Sequence, residues 1–372
     1  MEVQFQNNSL LVSHQNKNFQ LHPVWLRERL PGNQFIDPDT NQRLYEPSSI
    51  NLNIKISSAS ILGKSLNIEF DDGTKGVYNV EEILNELDEK KNKRGPLPDR
   101  ILWNSKLEKI PEALYEENMI EKETMLKLLI DFYKFGFVII KNLPTKDKYL
   151  LRFVRTLGPV KATNFGEYFD VMSKPNPNDL AYKPIALPPH TDNPYRKPIA
   201  PGIQFLHCLK NEVSGGYSTL VDGFAVADYI KANDIKAFDS LTQTSLRYRF
   251  QDKDIILENW GELIELDREG DYKQVRYSTR VDFVPPIDQE ELDIFYKAIK
   301  LLSDLYSSSQ FEIKFKLKPG DVMMFDNHRL LHGRTSYDSN EGSRHLQGCY
   351  LDFDSTDGKL RHLSRKYPQK VN

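Results

Sequence analysis

Three residues that are far apart in the sequence are of the types that together bind a divalent metal ion. His190 and Asp192 lie in PPHTDNP, and His332 lies in FDNHRLLHGRTSY. The prolines before His190 favour an extended or turning backbone, in which residues two apart project to the same side. Two imidazoles and one carboxylate form the facial triad of non-haem Fe(II) oxygenases. These residues predict a metal site with coordination positions left open.

Spacing alone leaves the metal and one of its ligands undecided. Catalytic zinc sites also use two histidines and a carboxylate. His328 lies four residues before His332 and competes with it for the second histidine position. A single His-x-Asp segment is more often a surface turn than a metal site, so the prediction depends on a further residue.

That residue is Arg344, which lies twelve positions after His332 and begins RHLQGCYLDFD. A 2-oxoglutarate that chelates iron through its keto-acid end points its other carboxylate away from the metal. A guanidinium there would form a charge-assisted, bidentate pair with this carboxylate, and Ser218 could add a hydroxyl. An arginine at the start of a strand is often only a surface charge. Arg344, however, follows His332 by about one strand and a loop, and this separation favours its pairing with the carboxylate of 2-oxoglutarate.

The composition is that of an ordinary globular protein. The 372 residues are 39% hydrophobic and 28% charged, with a formal net charge of -3, so a nucleic acid has no electrostatic reason to bind. Cys208 and Cys349 are too few for a disulfide framework or a four-cysteine zinc site. Without a signal-peptide pattern or an apolar run near the roughly 20 residues that cross a bilayer, we expect a cytoplasmic protein with no membrane partner.

The pattern along the chain predicts two domains. Residues 1–95 contain short β-like runs, with a hairpin expected where 71–74 (DDGT) separates LNIEF from KGVYNV. Residues 88–100, DEKKNKRGPLPDR, predict a solvated linker. Residues 96–372 combine helical periodicity with many short strands.

In this second region we expect a mainly β (α+β) fold, a double-stranded β-helix or jelly roll with flanking helices. Periodicity alone does not exclude another β architecture. The expected helices cover 121–133, 146–157 and 289–305. The expected strands cover 137–140, 203–208, 218–222, 311–317, 321–326 and 345–352.

Long blocks of the sequence resemble the γ-butyrobetaine hydroxylase and trimethyllysine hydroxylase group of the taurine-dioxygenase-like 2-oxoglutarate oxygenases. Besides HTD and SRHLQGCYLDFD, the matching blocks are GIQFLHC (202–208), GGYSTLVDGF (215–224), LKPGDVMMFDNHRLLHGR (317–334) and, more loosely, HPVWLRERLP (22–31). The resemblance implies that Fe(II) binds to His190, Asp192 and His332, and not to His328. It also implies 2-oxoglutarate at Arg344, with Ser218 and Leu206 beside it, dioxygen as cosubstrate, and a homodimer.

The resemblance further implies a small quaternary-ammonium substrate held in an aromatic cage of Phe165, Phe169, Tyr182 and Tyr350. A quaternary ammonium donates no hydrogen bond, so ring faces are the attraction available to it. Phe165 and Phe169 are four residues apart, which would equally suit the core face of a helix. The family carries Tyr and Trp where Phe165 and Phe169 stand, and an aromatic residue where Asn193 follows HTD. The headgroup or the length of the substrate is therefore expected to differ.

The family's small N-terminal domain binds a structural zinc on three cysteines and a histidine. Here Leu30, Gly32 and Phe35 stand where the cysteines would be, so no structural zinc is expected. The predicted substrate is γ-butyrobetaine-like, with trimethyllysine, a trimethylaminoethyl phosphonate or an uncharged small molecule as alternatives. A non-catalytic betaine-binding protein and a zinc hydrolase are the alternatives from other classes.

Overall fold

The computed structural model describes residues 2–6, 9–14, 17–87, 94–173 and 183–368. The chain divides into two compact units, Met1–Gly95 and Pro96–Asn372. The first unit contains two antiparallel three-stranded sheets, with strand orders β1-β2-β3 and β4-β5-β6. Its elements are β1 (Glu2–Gln6), β2 (Ser9–His14), β3 (Lys17–Leu21), α1 (Pro23–Arg27), β4 (Ile56–Leu62), β5 (Ser65–Phe70), β6 (Lys75–Asn79) and α2 (Val80–Leu87).

Two of the three positions where the family would place zinc-binding cysteines, Leu30 and Phe35, pack in or against the apolar core of the first unit, whereas Gly32 is exposed. Leu30 is fully buried in that core. Phe35 packs edge-to-face on Tyr45, with ring centroids 6.2 Å apart. The guanidinium of Arg27 lies 5.3 Å from the centre of the Phe35 ring and 5.8 Å from that of Tyr45. Apolar packing and cation–π contacts therefore occupy these positions.

The second unit holds the remaining strands and helices. They are β7 (Glu112–Leu114), α3 (Glu123–Phe135), β8 (Phe137–Lys141), α4 (Tyr149–Leu157), β9 (Phe169–Val171), β10 (Leu187–His190), β11 (Ile203–Asn211), β12 (Ser218–Asp222), α5 (Gly223–Asn233), α6 (Ile235–Gln243), β13 (Ser245–Gln251), β14 (Ile256–Glu262), β15 (Ile264–Leu266), β16 (Tyr272–Val275), β17 (Asp282–Phe283), α7 (Gln289–Tyr306), β18 (Glu312–Phe315), β19 (Val322–Asp326), β20 (Leu330–Arg334), β21 (Arg344–Leu351) and α8 (Phe353–Lys366).

Two sheets form the centre of this unit. The larger has the order β7-β8-β19-β11-β21-β9 and the smaller β10-β20-β12-β18. Side chains alternate between the faces of a strand. On β8, Phe137 and Ile139 share an apolar cluster with Leu220 and Leu330 of the smaller sheet. The intervening residues of β8 pack with α3, α4 and α8. The two sheets therefore face each other, and helices cover the outer face of the larger one.

A buried ion pair joins the ends of β12 and β20. Asp222 closes β12 and accepts hydrogen bonds from the backbone N–H groups of Phe224 and Ala225, so it also caps α5. Arg329 precedes β20 and donates from Nη2 to Asp222 Oδ2 at 2.6 Å and from Nε to Oδ1 at 3.1 Å. Because both side chains are at most 1% exposed, this pair fixes the strand that carries His332.

The predicted elements are largely present, with shifted ends. The three expected helices appear as α3, α4 and α7, and the hairpin at 71–74 joins β5 to β6. Helices α5, α6 and α8 and the sheet β14-β13-β17 were not predicted. Residues 88–93 of the predicted linker lie outside the described residues. Across the described residues, no helix combines the length and the apolar character that crossing a bilayer requires.

Candidate metal centre and substrate pocket

The pairing of β10 with β20 brings the two predicted histidines together. His190 and His332 are direct partners across the strands, and their ring centroids are 4.3 Å apart. Asp192 follows β10, and its Oδ1 lies 3.5 Å from His190 Nε2 and 3.8 Å from His332 Nε2. One possible ligand atom from each residue lies within 4.8 Å of the other two. The structure therefore gathers all three residues around one point.

The protonation states of these side chains suit a cationic ligand. Burial, together with the neighbouring His190, lowers the pKa of His332 to about 3, so its imidazole is neutral near pH 7. Nδ1 of His190 lies 2.9 Å from Pro188 O, to which it would donate a hydrogen bond when protonated. The lone pair of Nε2 would then point towards Asp192. Burial raises the pKa of Asp192, but the imidazoles and the Tyr350 hydroxyl outweigh burial and hold it below its usual range.

The backbone around Asp192 is fixed by a single side chain. Its N–H donates to Asn327 Oδ1 at 2.7 Å, and Asn327 Nδ2 donates to its carbonyl oxygen at 3.0 Å. His328, the competing histidine, lies elsewhere: its Nε2 is 2.8 Å from Ala200 O. It does not belong to the His190–Asp192–His332 group. The structure therefore separates the two candidates that spacing left open.

Arg344 is buried with no acidic partner in the described part of the chain. Its side chain is 5% exposed, and its Nε donates to Gly216 O at 3.3 Å. Its guanidinium lies 5.5 Å from the centre of the Tyr337 ring. A Cβ at Gly216 would lie 2.7 Å from Arg344 Nε, and Gly216 has a φ of +65°, so only glycine fits there. A buried, uncompensated cation of this kind suits an anionic ligand.

His190, Asp192, His332 and Arg344 line one cavity of about 480 Å³, a size typical of small-molecule sites. Ser218 and Leu206 line it together with Arg344 and the three metal-ligand candidates. Among the described residues of that lining, Asp192 is the one carboxylate, and the basic side chains are Lys183, Arg280, Arg334 and Arg344. The cavity therefore favours ligands that carry negative charge.

Aromatic rings form another part of the cavity wall. Four of the five predicted substrate residues, Phe165, Phe169, Asn193 and Tyr350, line it, whereas Tyr182 lies outside the described residues. The helical alternative for the two phenylalanines is wrong, because Phe165 lies in a loop and Phe169 begins β9. The rings of Phe169 and Tyr350 are 5.2 Å apart. A Cβ on Gly348 would lie 2.5 Å from the Phe169 ring, so this glycine makes room for it.

Two further aromatic rings of the cavity wall, those of Phe250 and Tyr195, were not predicted from the sequence. Phe250, on β13, packs edge-to-face on Phe165 with centroids 5.6 Å apart and stacks on Tyr195 at 5.0 Å. Tyr195 lies five residues after His190, and this proximity could have identified it. Phe250 comes from a distant strand and has no local signal. The missed basic residues Lys183, Arg280 and Arg334 likewise reach the cavity only through the fold.

Comparisons with known proteins identify the family of the chain. The family model described as taurine catabolism dioxygenase TauD, TfdA family, matches residues 111–350. The chain is 31% identical to the γ-butyrobetaine dioxygenase of Homo sapiens, over 93% of this chain and 92% of that one. It is 28% identical to the mitochondrial trimethyllysine dioxygenase of Rattus norvegicus, over 91% of this chain and 82% of that one.

Among solved structures, AAD-2 in complex with Mn(II) and N-oxalylglycine has a similar fold. The TM-score is 0.51 at 14% identity, and the match covers 68% of this chain and 97% of that one. This likeness concerns the fold alone. The family match and the 31% identity over nearly the whole chain confirm the resemblance stated from the sequence. The chain belongs to the TauD/TfdA family of dioxygenases.

Proposed function

We propose that the protein is an Fe(II)- and 2-oxoglutarate-dependent dioxygenase that hydroxylates a small trimethylammonium substrate. The observation that carries the proposal is the shared cavity: a His-Asp-His group, a buried arginine with no acidic partner among the described residues, and a wall of aromatic rings all line it. The two facing sheets are accordingly proposed to form a double-stranded β-helix, with catalysis in residues 96–372.

The residues fit the metal and the cosubstrate chemically. Two imidazoles and one carboxylate suit Fe(II), and His190, Asp192 and His332 would hold it. Arg344 would pair with the distal carboxylate of 2-oxoglutarate, with Ser218 and Leu206 beside it. When bound, the iron, 2-oxoglutarate and dioxygen supply the oxidant that turns a C–H bond into an alcohol, while 2-oxoglutarate becomes succinate and carbon dioxide.

The remaining role of the protein is to position the substrate. Phe165, Phe169 and Phe250 present ring faces to a quaternary ammonium, and each desolvated contact of this kind contributes about 0.5–2 kcal/mol. The surplus of basic side chains in the wall favours a substrate whose other end is anionic. The substrate class is therefore a betaine-like zwitterion, such as γ-butyrobetaine. Fixing the cationic end holds one C–H bond near the metal.

The test is a panel of compounds assayed for coupled consumption of 2-oxoglutarate. It contains γ-butyrobetaine, trimethyllysine, a trimethylaminoethyl phosphonate, choline as a cation without an anion, and 5,5-dimethylhexanoate, the uncharged-headgroup isostere of γ-butyrobetaine. We expect zwitterions to stimulate turnover, and choline and the isostere to do so at least tenfold less efficiently in kcat/KM. Equal efficiency with the isostere would contradict the cage.

A second measurement separates this function from the other classes. Anaerobic addition of 2-oxoglutarate to the Fe(II)-loaded protein should produce a metal-to-ligand charge-transfer band. A zinc hydrolase or a betaine-binding protein would show no such band. The homodimer, implied by the resemblance, and the cytoplasmic location, expected from the sequence pattern, are further proposals. Sedimentation velocity and localisation of the tagged protein would test them.

A further inference from the structure

The Tyr350 hydroxyl contacts a metal-ligand candidate directly. Tyr350 lies on β21, is 5% exposed, and donates a hydrogen bond from its hydroxyl to Asp192 Oδ2 at 2.7 Å. From the sequence, this residue was expected to contribute only its ring to the cage. The structure gives it a second contact, made through a different part of the side chain.

A chain of hydrogen bonds fixes the direction of that contact. An ionised carboxylate only accepts hydrogen bonds, so the tyrosine proton must point at Asp192. The tyrosine oxygen then accepts from Asn193 Nδ2 at 3.1 Å. The amide oxygen of Asn193 in turn accepts from the Tyr195 hydroxyl. The hydrogen bonds therefore all run in one direction. Each residue donates to the next in the order Tyr195, Asn193, Tyr350 and Asp192.

Asn193 suits this series of hydrogen bonds by its backbone conformation as well as by its side chain. Its φ is +54°, in the left-handed region that asparagine tolerates better than most residues. This conformation immediately follows Asp192. The residue that replaces the family's aromatic thus turns the backbone and also supplies the amide that holds the tyrosine.

We propose that Tyr350 is a positioning residue that reserves one carboxylate oxygen of Asp192 for the metal. Its hydroxyl engages Oδ2, and Oδ1 is the oxygen within 3.5 Å and 3.8 Å of the two imidazoles. An octahedral ion with two imidazoles and one carboxylate oxygen keeps three positions open, enough for a bidentate cosubstrate and dioxygen. A bidentate carboxylate would occupy one of those positions. The inference rests on the proposed metal site.

The test measures metal affinity instead of turnover. Mn(II) is titrated into the metal-free protein and its variants, with free Mn(II) followed by electron paramagnetic resonance. Tyr350→Phe keeps the ring and loses only the hydroxyl. Asn193→Gly keeps the positive φ accessible and loses the amide. Phe165→Leu is the matched control, because it removes a ring from the same wall that packs on Phe250 and leaves the contact between Tyr350 and Asp192 in place.

We expect Tyr350→Phe to bind Mn(II) about 10–100-fold more weakly than wild type, as loss of a partner to a metal ligand typically does. Asn193→Gly should weaken binding in the same direction, and Phe165→Leu should stay within about twofold. Bound Mn(II) should also carry one water molecule fewer in Tyr350→Phe, since a freed Oδ2 can coordinate. The ratio of KM values for γ-butyrobetaine and its isostere should not change, because the ring remains.

The outcomes separate this inference from the proposed function. A wild-type protein that binds no Mn(II) would remove the metal site itself. A wild-type protein that binds Mn(II), with Tyr350→Phe and Asn193→Gly both within threefold of it, would overturn the positioning role alone. If Tyr350→Phe fails to fold, as judged by circular dichroism, Asn193→Gly decides the question.

Discussion

Arg344 allows the sharpest prediction about the cosubstrate. Replacing it by leucine keeps an apolar stem in the same space and removes the guanidinium. Because the side chain is 5% exposed, the distal carboxylate of 2-oxoglutarate would then be buried without a partner. Breaking one side of a buried charge pair costs about 3–5 kcal/mol. The dissociation constant for 2-oxoglutarate should therefore rise by roughly 10²–10³-fold or more.

The assay compares two cosubstrates that differ only at the distal end. 2-Oxopentanoate chelates iron through the same keto-acid group but has a methyl group in place of the second carboxylate. Both compounds are titrated anaerobically against the Fe(II)-loaded protein, using the charge-transfer band. Wild type should prefer 2-oxoglutarate by roughly the same 10²–10³-fold. Arg344→Leu should lose this preference while binding 2-oxopentanoate as before, which serves as the internal control for folding and metal loading.

Arg334 provides a matched control, because it is a second buried arginine beside the same tyrosine. Its guanidinium lies 5.4 Å from the centre of the Tyr337 ring, but it already donates to the carbonyl oxygens of Ile185 and Lys183. Arg334→Leu should therefore leave the preference for 2-oxoglutarate within about threefold of wild type. If Arg344→Leu keeps a hundredfold preference and Arg334→Leu loses it, the assignment of the cosubstrate carboxylate is wrong.

Three further predictions concern stability and the cavity wall. Burial raises the pKa of Asp282 from 3.8 to about 6, so the unfolded chain releases a proton that the folded chain retains between these values, and stability falls as pH rises through that window. Asp282→Asn should raise the free energy of unfolding at pH 7 by about 1 kcal/mol and not at pH 3, measured by urea titration at both pH values; an equal effect at both would contradict the shift. Arg329→Leu, which leaves Asp222 buried and unpaired, should cost about 3–5 kcal/mol of unfolding free energy; a loss below 1 kcal/mol would show that the pair is dispensable. Gly348→Ala should displace the Phe169 ring and raise the KM for a trimethylammonium substrate by roughly 2–30-fold, with unchanged Mn(II) affinity; an unchanged KM would remove that ring from binding.

The chemistry of the site was predictable from the sequence, because its parts are local or belong to long blocks. HTD brings two ligand candidates together within three residues. The choice between His328 and His332 was not predictable from spacing. It depends on the register of β20 against β10, which pairs His332 directly with His190. Register is a property of two strands that are distant in the chain, so only the family resemblance could supply it.

The aromatic wall shows where reasoning from one sequence ends. A spacing of four residues suits a helix, yet Phe165 and Phe169 lie in a loop and on a strand. Phe250 joins them from β13 through tertiary packing, which leaves no periodic signal. The missed helices have similar causes. Helix α5 begins at a glycine and carries an exposed Tyr229 outside its buried face, which weakens the apolar periodicity. Helix α8 opens with FDSTDG, a composition typical of turns.

The short strand β10 lies at the edge of its sheet and has two paired positions with β20, at Leu187 and His190, with a register irregularity between them. Edge segments with few backbone bonds open at low free-energy cost. A cation bound by both His190 and His332 would link β10 to the neighbouring strand β20. Loading the site should therefore slow amide hydrogen exchange in β10 more than in β12, which already pairs on both sides. Proteases should then cleave β10 more readily in the metal-free protein than in the metal-loaded protein.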